Sequence, residues 1–357
     1  MPSKTILITG CGPSGIGPSL AKEFQLRGHR VIATGLNTEL LDTLAGLGIE
    51  TVVMDVTSES SIAVCVAQVR KLTRDSSPAA SSSRQHAGGQ VERDDVAPEQ
   101  LGPEHGYIDM LINNAGTLHI LPFADTTASD IKGVFDVNVV GAMCVTRAFI
   151  PLLVAGAARP SSMSDSHDKH CESVIANVCS MNSDLRPPFL SLYNASKAAL
   201  DTFGATIRPE LAPLGVRVVT LKTGAIQTDL FAHTPSSEVP SQSYYRADLG
   251  EYLAKRGMFA GTTFMEVADY AKSVAGMLCE ELERGGDREG GWGWGSSLWN
   301  GGWRRRRVIW EGNLVSLAWV VRAVRWDWFW DWVFTKGNRL DQVRRPDFGT
   351  MKVNPMD

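Results

Sequence analysis

Short apolar runs alternate with longer amphipathic segments along the first part of the chain. Three runs predict buried parallel strands, because they are short, rich in β-branched residues and apolar throughout. They lie at Thr5–Thr9, His29–Thr34 and Glu50–Val56. A helical pattern follows the first run and ends near Gly28, and glycine commonly terminates helices. Strands alternating with helices of this length predict an α/β fold built on a doubly wound parallel sheet.

The same alternation resumes further along and predicts three more strands and a long helix. The strands lie at Tyr107–Gly116, Ser173–Cys179 and Val216–Gly224. The helix is predicted to begin at Tyr193 and to run to about Leu211. Pro209 is expected to kink or shorten its end, because proline lacks the N–H that a helix interior requires.

Two polar segments interrupt this pattern. Residues of about 73–106 and 155–172 are rich in Ser, Pro, Gly and charged side chains, so we expect them to be surface insertions. The second insertion contains His167, His170 and Cys171, which fit either a metal site or a polar loop. We favour the polar loop and expect no metal, because no matching ligand pair is evident elsewhere.

The composition narrows the class of protein. A chain of 357 residues with 43% hydrophobic residues and a net charge of −4 is typical of a globular enzyme. It is not typical of a disordered protein or of one that coats nucleic acid, so no nucleic-acid partner is expected. The six cysteines form no C-x-x-C pair and the N-terminus lacks a secretory pattern, which favours an intracellular location.

Glycine and polar residues follow several of the predicted strands. The run Gly10–Gly17 suits a loop whose N–H groups face a pyrophosphate, and three strand–helix alternations favour this over a plain turn. Asp55 is placed to bind an adenine amino group or to cap a helix. Asn113 suits contact with a cofactor ribose and stabilisation of the central strand. Asn138 lies inside an apolar run and requires hydrogen-bond partners.

The segment from Ser180 to Lys197 contains the candidate catalytic groups. Tyr193 and Lys197 are four residues apart, so they share one face of a helix. A free phenol has a pKa near ~10, and a neighbouring cation favours its ionised form. The pair is therefore a candidate acid/base at neutral pH, and Ser180 precedes it on the chain.

These motifs, in this order and spacing, resemble the short-chain dehydrogenase/reductase family over roughly Lys4 to Cys279. The motifs are T-G-x-x-x-x-G-x-G at Thr9–Gly17, N-N-A-G at Asn113–Gly116, Asn138, Ser180 and Y-x-x-x-K at Tyr193–Lys197. The extra residue in the glycine loop and the pair Thr223-Gly224 are similar to a fungal branch of the family. That branch is related to NADPH-dependent 1-acyl-dihydroxyacetone-phosphate reductase.

The resemblance implies a role for each motif residue. Tyr193 would exchange a proton with the substrate oxygen, and Lys197 would lower its pKa and bind the nicotinamide ribose. Ser180 would hydrogen-bond the carbonyl oxygen, where negative charge develops, and Asn138 would hold a water that links Lys197 to solvent. For Arg147 a surface role is an equal alternative to a cofactor contact. The implied cofactor-binding residues are Gly10, Gly15, Ile16, Gly17, Asp55, Asn113, Arg147, Tyr193, Lys197, Ile226 and Thr228.

The preferred cofactor depends on the residues after the second strand. Members of the family that prefer NADP commonly have an arginine there, and those that prefer NAD have an acid. This chain has Thr34-Gly35-Leu36-Asn37 and therefore neither. The resemblance favours NADP(H), and NAD is not excluded.

All ten tryptophans lie between Trp292 and Trp332. We therefore divide the chain into a Rossmann-like catalytic domain, 1–285, and a Trp/Arg-rich helical C-terminal extension, 286–357. The apolar stretch Leu314–Phe334 contains four charged residues, which disfavours a membrane-spanning helix. Two interpretations stay open and can coexist. Residues 290–334 contact a membrane or lipid-droplet surface, or this helix packs on the catalytic domain or a second subunit and covers the substrate pocket.

Three functional hypotheses follow. The first is an NADP(H)-dependent reductase of a ketone or aldehyde on a hydrophobic or lipid substrate, with acyl-dihydroxyacetone phosphate implied by the resemblance. The second is a polyketide or terpenoid dehydrogenase/ketoreductase of secondary metabolism. The third is an inactive lipid- or membrane-associated binding protein, against which the intact Ser180, Tyr193 and Lys197 argue. We expect a cytoplasmic location or peripheral attachment to endoplasmic reticulum or lipid droplets, and self-association into a homo-oligomer is an additional expectation.

Overall fold

A parallel sheet forms the centre of the protein. The computed structural model describes residues 3–75, 106–159, 172–228, 239–255, 257–283, 307–324 and 327–343. Seven strands pair in the order β3-β2-β1-β4-β5-β6-β7, and every pairing is parallel. The strands are β1 Thr5–Ile8, β2 Arg30–Gly35, β3 Glu50–Val53, β4 Met110–Asn113, β5 Ser173–Ser180, β6 Val216–Thr223 and β7 Val308–Glu311. The predicted Rossmann-like α/β fold is confirmed.

Helices connect the strands. They are α1 Ile16–Leu26, α2 Thr38–Gly46, α3 Glu59–Asp75, α4 Ala128–Phe135, α5 Ala142–Ala157, α6 Asn182–Leu185, α7 Ser191–Leu211, α8 Arg246–Ala254, α9 Val267–Glu283, α10 Val315–Val324 and α11 Asp327–Gly337. Two separate apolar clusters cover the two faces of the sheet. One includes Phe24 of α1 and Tyr270 of α9. The other includes Cys65 of α3 and Phe149 of α5, so the sheet is buried on both sides as a doubly wound fold requires.

Within the part of the chain that the structure describes, one helical run is long and apolar enough to cross a membrane. It comprises α4, a π-helical turn at Asp136–Gly141 and α5. More than half of its most apolar window is buried inside the protein, with Phe149 and Leu153 in the core. Packing against the sheet therefore accounts for its apolar character.

Several predicted boundaries differ from the structure. α7 begins at Ser191, two residues before the predicted start, whereas its end at Leu211 agrees with the prediction and Pro209 does not shorten it. The first insertion does not start at residue 73, because Thr73 lies in α3 and is buried. The second does not start at 155, because α5 continues to Ala157. Residues 76–105 and 160–171, with His167, His170 and Cys171, lie outside the described residues.

The seventh strand was not predicted. Val308–Glu311 pairs with β6 over four residues, from Thr220 to Thr223. A division of the chain at residue 285 assigns this strand to the extension, whereas hydrogen bonding makes it part of the sheet. The boundary at 285 therefore does not separate two structural units in the described residues.

The predicted stretch Leu314–Phe334 is helical on both sides of residues 325–326, which lie outside the described residues. α10 and α11 cover 10 and 11 described residues on the two sides. Ala318 and Val321 of α10 are buried in a cluster with Met181 and Leu185. Trp330 and Phe334 of α11 pack against the same cluster. The tail thus lies on the segment that directly follows Ser180.

A second cluster connects the chain's last described residues to the other side of the site. Leu340 and Val343 pack against buried Phe189, which precedes α7, and against Leu249 and Leu253 of α8. The interpretation in which the tail packs on the catalytic domain therefore agrees with the observed contacts.

Candidate active site

The glycine loop after β1 is tightly packed at two positions. Gly10 has φ +69°, and a Cβ there would lie 2.5 Å from the Cα of Ala115. A Cβ on Gly17 would lie 2.6 Å from Nδ2 of Asn114. Only glycine fits at these two points, where the loop meets the end of β4.

Gly15 faces open space instead. It has φ +104°, and a Cβ there would meet nothing within 4 Å. It is the N-cap of α1, which begins at Ile16, and no side chain caps this terminus. The first-turn N–H groups and the helix dipole therefore suit an anion, so the loop fits a dinucleotide diphosphate. Gly10, Gly15, Ile16 and Gly17 are brought together as predicted, and their contacts with a cofactor stay a prediction.

Asn114 holds this loop in place, a role that sequence reasoning missed. Its Nδ2 donates to the carbonyls of Thr9 at 2.8 Å and Gly10 at 3.0 Å. The Thr9 hydroxyl in turn accepts from the N–H groups of Asn114 and Ala115, each at 3.0 Å. The clue in the sequence was the second amide of N-N-A-G.

Asn113 is almost fully buried at the end of β4. Its Nδ2 donates to Thr146 Oγ1 and to Asn177 Oδ1, both at 2.8 Å. These bonds tie β4 to α5 and β5, which is the strand-stabilising role expected of it. Nδ2 is thus engaged inside the protein, whereas the buried Oδ1 has no partner among the described residues, and the ribose contact of Asn113 stays a prediction.

Asp55 forms a turn before α3. Its Oδ1 accepts from Thr57 N at 2.8 Å and from Thr57 Oγ1 at 2.7 Å. This turn is not the helix cap considered for Asp55, because Ser58 Oγ accepts from Ser61 N at 3.3 Å at the start of α3. Adenine recognition by Asp55 stays a prediction. After β2, Asn37 Oδ1 caps α2 by accepting from Leu40 N at 3.0 Å, and Leu36 is 61% exposed. The two residues after β2 are thus an exposed leucine and an asparagine whose side chain already caps α2.

Tyr193 and Lys197 lie on adjacent turns of α7, as their spacing predicts. Lys197 is buried, and its Nζ lies 5.7 Å from the centroid of the Tyr193 ring. The same Nζ donates to the backbone carbonyl of Val178 on β5 at 2.8 Å. Desolvation lowers the pKa of Lys197 below its ordinary value.

Ser180 ends β5 and completes the group. Its Oγ accepts from Asn182 N at 3.2 Å, and it hydrogen-bonds Tyr193. Burial raises the pKa of Tyr193 to about 12, and the bond with Ser180 opposes that rise only in part. The net direction is thus upward, and the expected lowering of the Tyr193 pKa by Lys197 stays a prediction. The phenol is a proton donor at neutral pH.

Asn138 lies at the π-helical turn and is fully buried. Its Oδ1 accepts from Thr117 N at 2.8 Å, and its Nδ2 donates to Thr117 O and Ser196 Oγ, both at 2.9 Å. Ser196 Oγ donates onward to the Tyr193 carbonyl at 2.8 Å. The expected hydrogen-bond partners of Asn138 are thus present. A Cβ on Gly116 would lie 3.3 Å from Asn138 Oδ1 and 3.4 Å from Lys197 Nζ, so both atoms line one spot. The water relay stays a prediction.

Three further predicted residues lie in different surroundings. Arg147 is exposed and 3.6 Å from Glu59 on α3, which matches its surface alternative. Ile226 is buried in the core and bridges to Met265, whereas Thr228 is half-buried. Among the described residues, no group of three or more His, Cys, Asp or Glu side chains is arranged to hold a metal ion.

The chain is similar to fungal members of one enzyme family. A family model described as short chain dehydrogenase matches residues 92–238. A short-chain dehydrogenase of Penicillium ochrochloron is 32% identical over 323 residues, covering 90% of this chain and 93% of that protein. The NADPH-dependent 1-acyldihydroxyacetone phosphate reductase of Schizosaccharomyces pombe is 32% identical over 246 residues, 68% of each chain. The chain therefore belongs to the short-chain dehydrogenase/reductase family of oxidoreductases.

Solved structures show the same fold. A short-chain dehydrogenase from Streptomyces avermitilis aligns with a TM-score of 0.62 at 21% identity, covering 98% of this chain and all of that one. A 3-ketoacyl-(acyl-carrier-protein) reductase from Brucella melitensis, complexed with NADH, aligns with a TM-score of 0.55 at 23% identity. That alignment covers 77% of this chain and 90% of the other. At these identities the likeness concerns the fold alone.

The raised Tyr193 pKa predicts opposite pH dependences for the two directions of a carbonyl/alcohol reaction. A raised pKa keeps the phenol protonated, so single-turnover reduction should stay nearly constant from pH 6 to pH 9. The oxidation rate, which needs a proton acceptor, should rise through the same range. Stopped-flow rates with saturating cofactor test this. If the reduction rate instead falls about tenfold as the pH is raised from 6 to 9, following a single ionisation, the assignment of Tyr193 as the proton donor is contradicted.

Proposed function

We propose that this protein is an NADP(H)-dependent reductase of a ketone or aldehyde on a hydrophobic substrate. The proposal rests on one observation: Ser180, Tyr193 and Lys197 meet beside a glycine loop that fits a dinucleotide diphosphate. The bound nicotinamide would supply the hydride. This chain's own residues would orient the carbonyl, supply the proton and stabilise the charge that develops on oxygen.

Each catalytic group has a separate task in this proposal. The Tyr193 phenol, protonated at neutral pH, donates a proton to the substrate oxygen. The Ser180 hydroxyl donates a hydrogen bond to the same oxygen as it gains negative charge. The Lys197 ammonium, beside the Tyr193 ring, stabilises the phenolate left after proton transfer. Asn138 fixes α7 through Ser196 and, as the resemblance suggests, would hold a water on the path back to solvent.

The surroundings support an apolar substrate. Met181 follows Ser180 directly and Phe189 lies four residues before Tyr193, and both are buried in apolar clusters. Trp330 and Phe334 of the tail pack against the cluster that contains Met181. The name of the Schizosaccharomyces pombe relative supports NADPH and an acyl-dihydroxyacetone phosphate as the first cofactor and substrate to test.

Cofactor titration and a matched variant test the proposal. Purified protein should quench or shift NADPH fluorescence with a saturable Kd, and it should oxidise NADPH when given acyl-dihydroxyacetone phosphate or a panel of cyclic and polyketide-like ketones. Tyr193→Phe removes only the phenolic O–H. It should lower kcat by about 10²–10⁴-fold while the Kd for NADPH changes by less than about threefold.

Two results would count against the proposal. Normal turnover by Tyr193→Phe would exclude the phenol as the acid. Tight NADPH binding without turnover of any carbonyl would favour the alternative of a binding protein that has lost catalysis. The rates of NADPH oxidation with the different carbonyl compounds also show whether a lipid or a polyketide or terpenoid is the better substrate.

The cofactor preference can be tested at Leu36. The side chain is exposed directly after β2, where a cofactor's adenosine ribose is expected to lie. Leu36→Asp would repel a 2′-phosphate but could accept a hydrogen bond from a 2′-hydroxyl. We expect the Kd for NADPH to rise at least about tenfold, while that for NADH stays equal or falls. Leu36→Asn is the uncharged control, and equal effects of both variants on NADPH would exclude a charge-based preference.

We also propose that the tail attaches the enzyme to a lipid surface, such as endoplasmic reticulum or lipid droplets. One side of α10 and α11 packs on the catalytic domain, while Trp319, Trp328 and Trp332 remain 58–71% exposed. Exposed tryptophans on amphipathic helices are typical of a membrane interface. A surface that contacts lipid on one side and the substrate region on the other suits an apolar substrate.

Vesicle flotation tests this attachment. The fraction of full-length protein bound to phosphatidylcholine/phosphatidylserine vesicles should fall about tenfold in Trp319→Ser/Trp332→Ser, because two interfacial anchors are lost. Leu26→Ser changes an exposed apolar residue on α1 and should leave binding unchanged. If the double variant floats like wild type, the tail does not anchor the protein. If wild type does not float but sedimentation shows a dimer that the double variant lacks, the face is a contact between copies.

A further inference from the structure

A buried lysine outside the predicted catalytic set lies next to it on the sheet. Lys222 is on β6, opposite Cys179 of β5, and its side chain is fully buried. Its Nζ donates to Ser183 Oγ at 2.5 Å, Asp184 Oδ2 at 2.7 Å and Asp201 Oδ2 at 2.7 Å. An ammonium has three N–H groups, and all three are engaged, so Lys222 has no donor left for a substrate.

The three partners belong to the two segments that hold the catalytic hydroxyls. Ser183 and Asp184 lie in α6, directly after Ser180, and the Ser183 hydroxyl donates to the Ser180 carbonyl at 2.7 Å. Asp201 lies in α7, four residues after Lys197 and therefore on the same face of the helix. One ammonium thus joins the turn that begins at Ser180 to the helix that carries Tyr193.

Two further contacts place this cation within the site region. Trp310 of β7 has its ring centroid 5.7 Å from Lys222 Nζ, so the tail strand covers the ammonium. Lys222 also pairs across the two strands with Cys179, the residue before Ser180. The cluster therefore surrounds the end of β5 from which Ser180 extends.

Stability alone does not account for a charged group at this position. A buried ion pair costs desolvation, and an apolar side chain in its place is often neutral or stabilising. The ammonium instead fixes the relative positions of α6, α7 and β6, because its three hydrogen bonds join these elements. We propose that Lys222 is a positioning residue, which sets the distance between the Ser180 and Tyr193 hydroxyls by anchoring Ser183, Asp184 and Asp201. This inference rests on the proposed reductase function.

The matched control is another buried ion pair on the same strand. Arg217 of β6 pairs with Glu281 of α9, which is fully buried, and its Nη1 also donates to the Glu281 carbonyl at 2.7 Å. Arg217 lies five residues before Lys222, about 16 Å away at ~3.3 Å per residue, at the opposite end of β6. Arg217→Met should therefore perturb stability without moving the hydroxyls.

Two measurements on the full-length protein test the proposal. Lys222→Met should lower kcat by about 10–100-fold and leave the KM for NADPH within about threefold, because displacement of reacting groups affects the chemical step. Hydrogen exchange should speed up at least about tenfold for residues 181–185 and for 193–201. Arg217→Met should show neither change, even where its Tm falls as far as that of Lys222→Met.

The outcomes separate the hypotheses. Wild-type kcat and wild-type exchange in Lys222→Met would overturn the positioning role. If Lys222→Met does not fold, Ser183→Ala and Asp201→Asn each remove one anchor, and wild-type kcat and exchange in both would overturn it as well. If wild type reduces no carbonyl, the proposed reductase function fails, whereas the exchange rates still decide whether Lys222 holds α6 and α7 in place.

Discussion

The backbone carbonyl of Val178 is the acceptor on which the catalytic geometry depends. β4 ends at Asn113, whereas β5 continues for three residues beyond its last pair with β4. Backbone groups of a parallel strand point alternately to its two neighbours, and Val174 N already donates towards β4. Val178, four residues later, points the same way but lies beyond the end of β4. The Lys197 ammonium takes the vacant place, so the early end of one strand allows a cation to be buried beside Tyr193.

Buried hydrogen bonds of side-chain amides also fix the elements around the site. A buried amide is costly unless it is hydrogen-bonded, so each one restrains the elements that it joins. Asn113 joins β4 to α5 and β5, and Asn114 joins the end of β4 to the glycine loop. Asn138 joins the loop at Thr117 to α7 through Ser196. The glycine loop and α7 are thus fixed to the carboxyl end of the sheet by polar contacts, while apolar packing holds the layers together.

Local patterns in the sequence predicted the features that depend on local spacing. β1, β2 and β3 follow from apolar runs, and the shared face of Tyr193 and Lys197 follows from helical geometry. β7 could not be predicted, because Val308–Glu311 is short and its partner β6 lies more than 80 residues away. The pKa of Tyr193 has a similar limit: spacing shows that Lys197 is near, but only the fold shows the burial that raises this pKa. The three anchors of Lys222 come from two helices, so only the fold brings them together.

The tail is part of the catalytic domain in a physical sense. An uncovered β6 would expose a long row of unpaired backbone groups, whereas β7 moves the sheet edge to a strand of four residues, which is less prone to pair with another chain. The same segment supplies Trp310 to the Lys222 ammonium and continues into helices that cover Met181. One stretch of chain therefore forms the edge of the sheet, contacts the ammonium next to the Ser180 segment and packs on the apolar cluster around Met181. Met181 and Lys222 thus both contact the same tail segment, through α10 and β7 respectively.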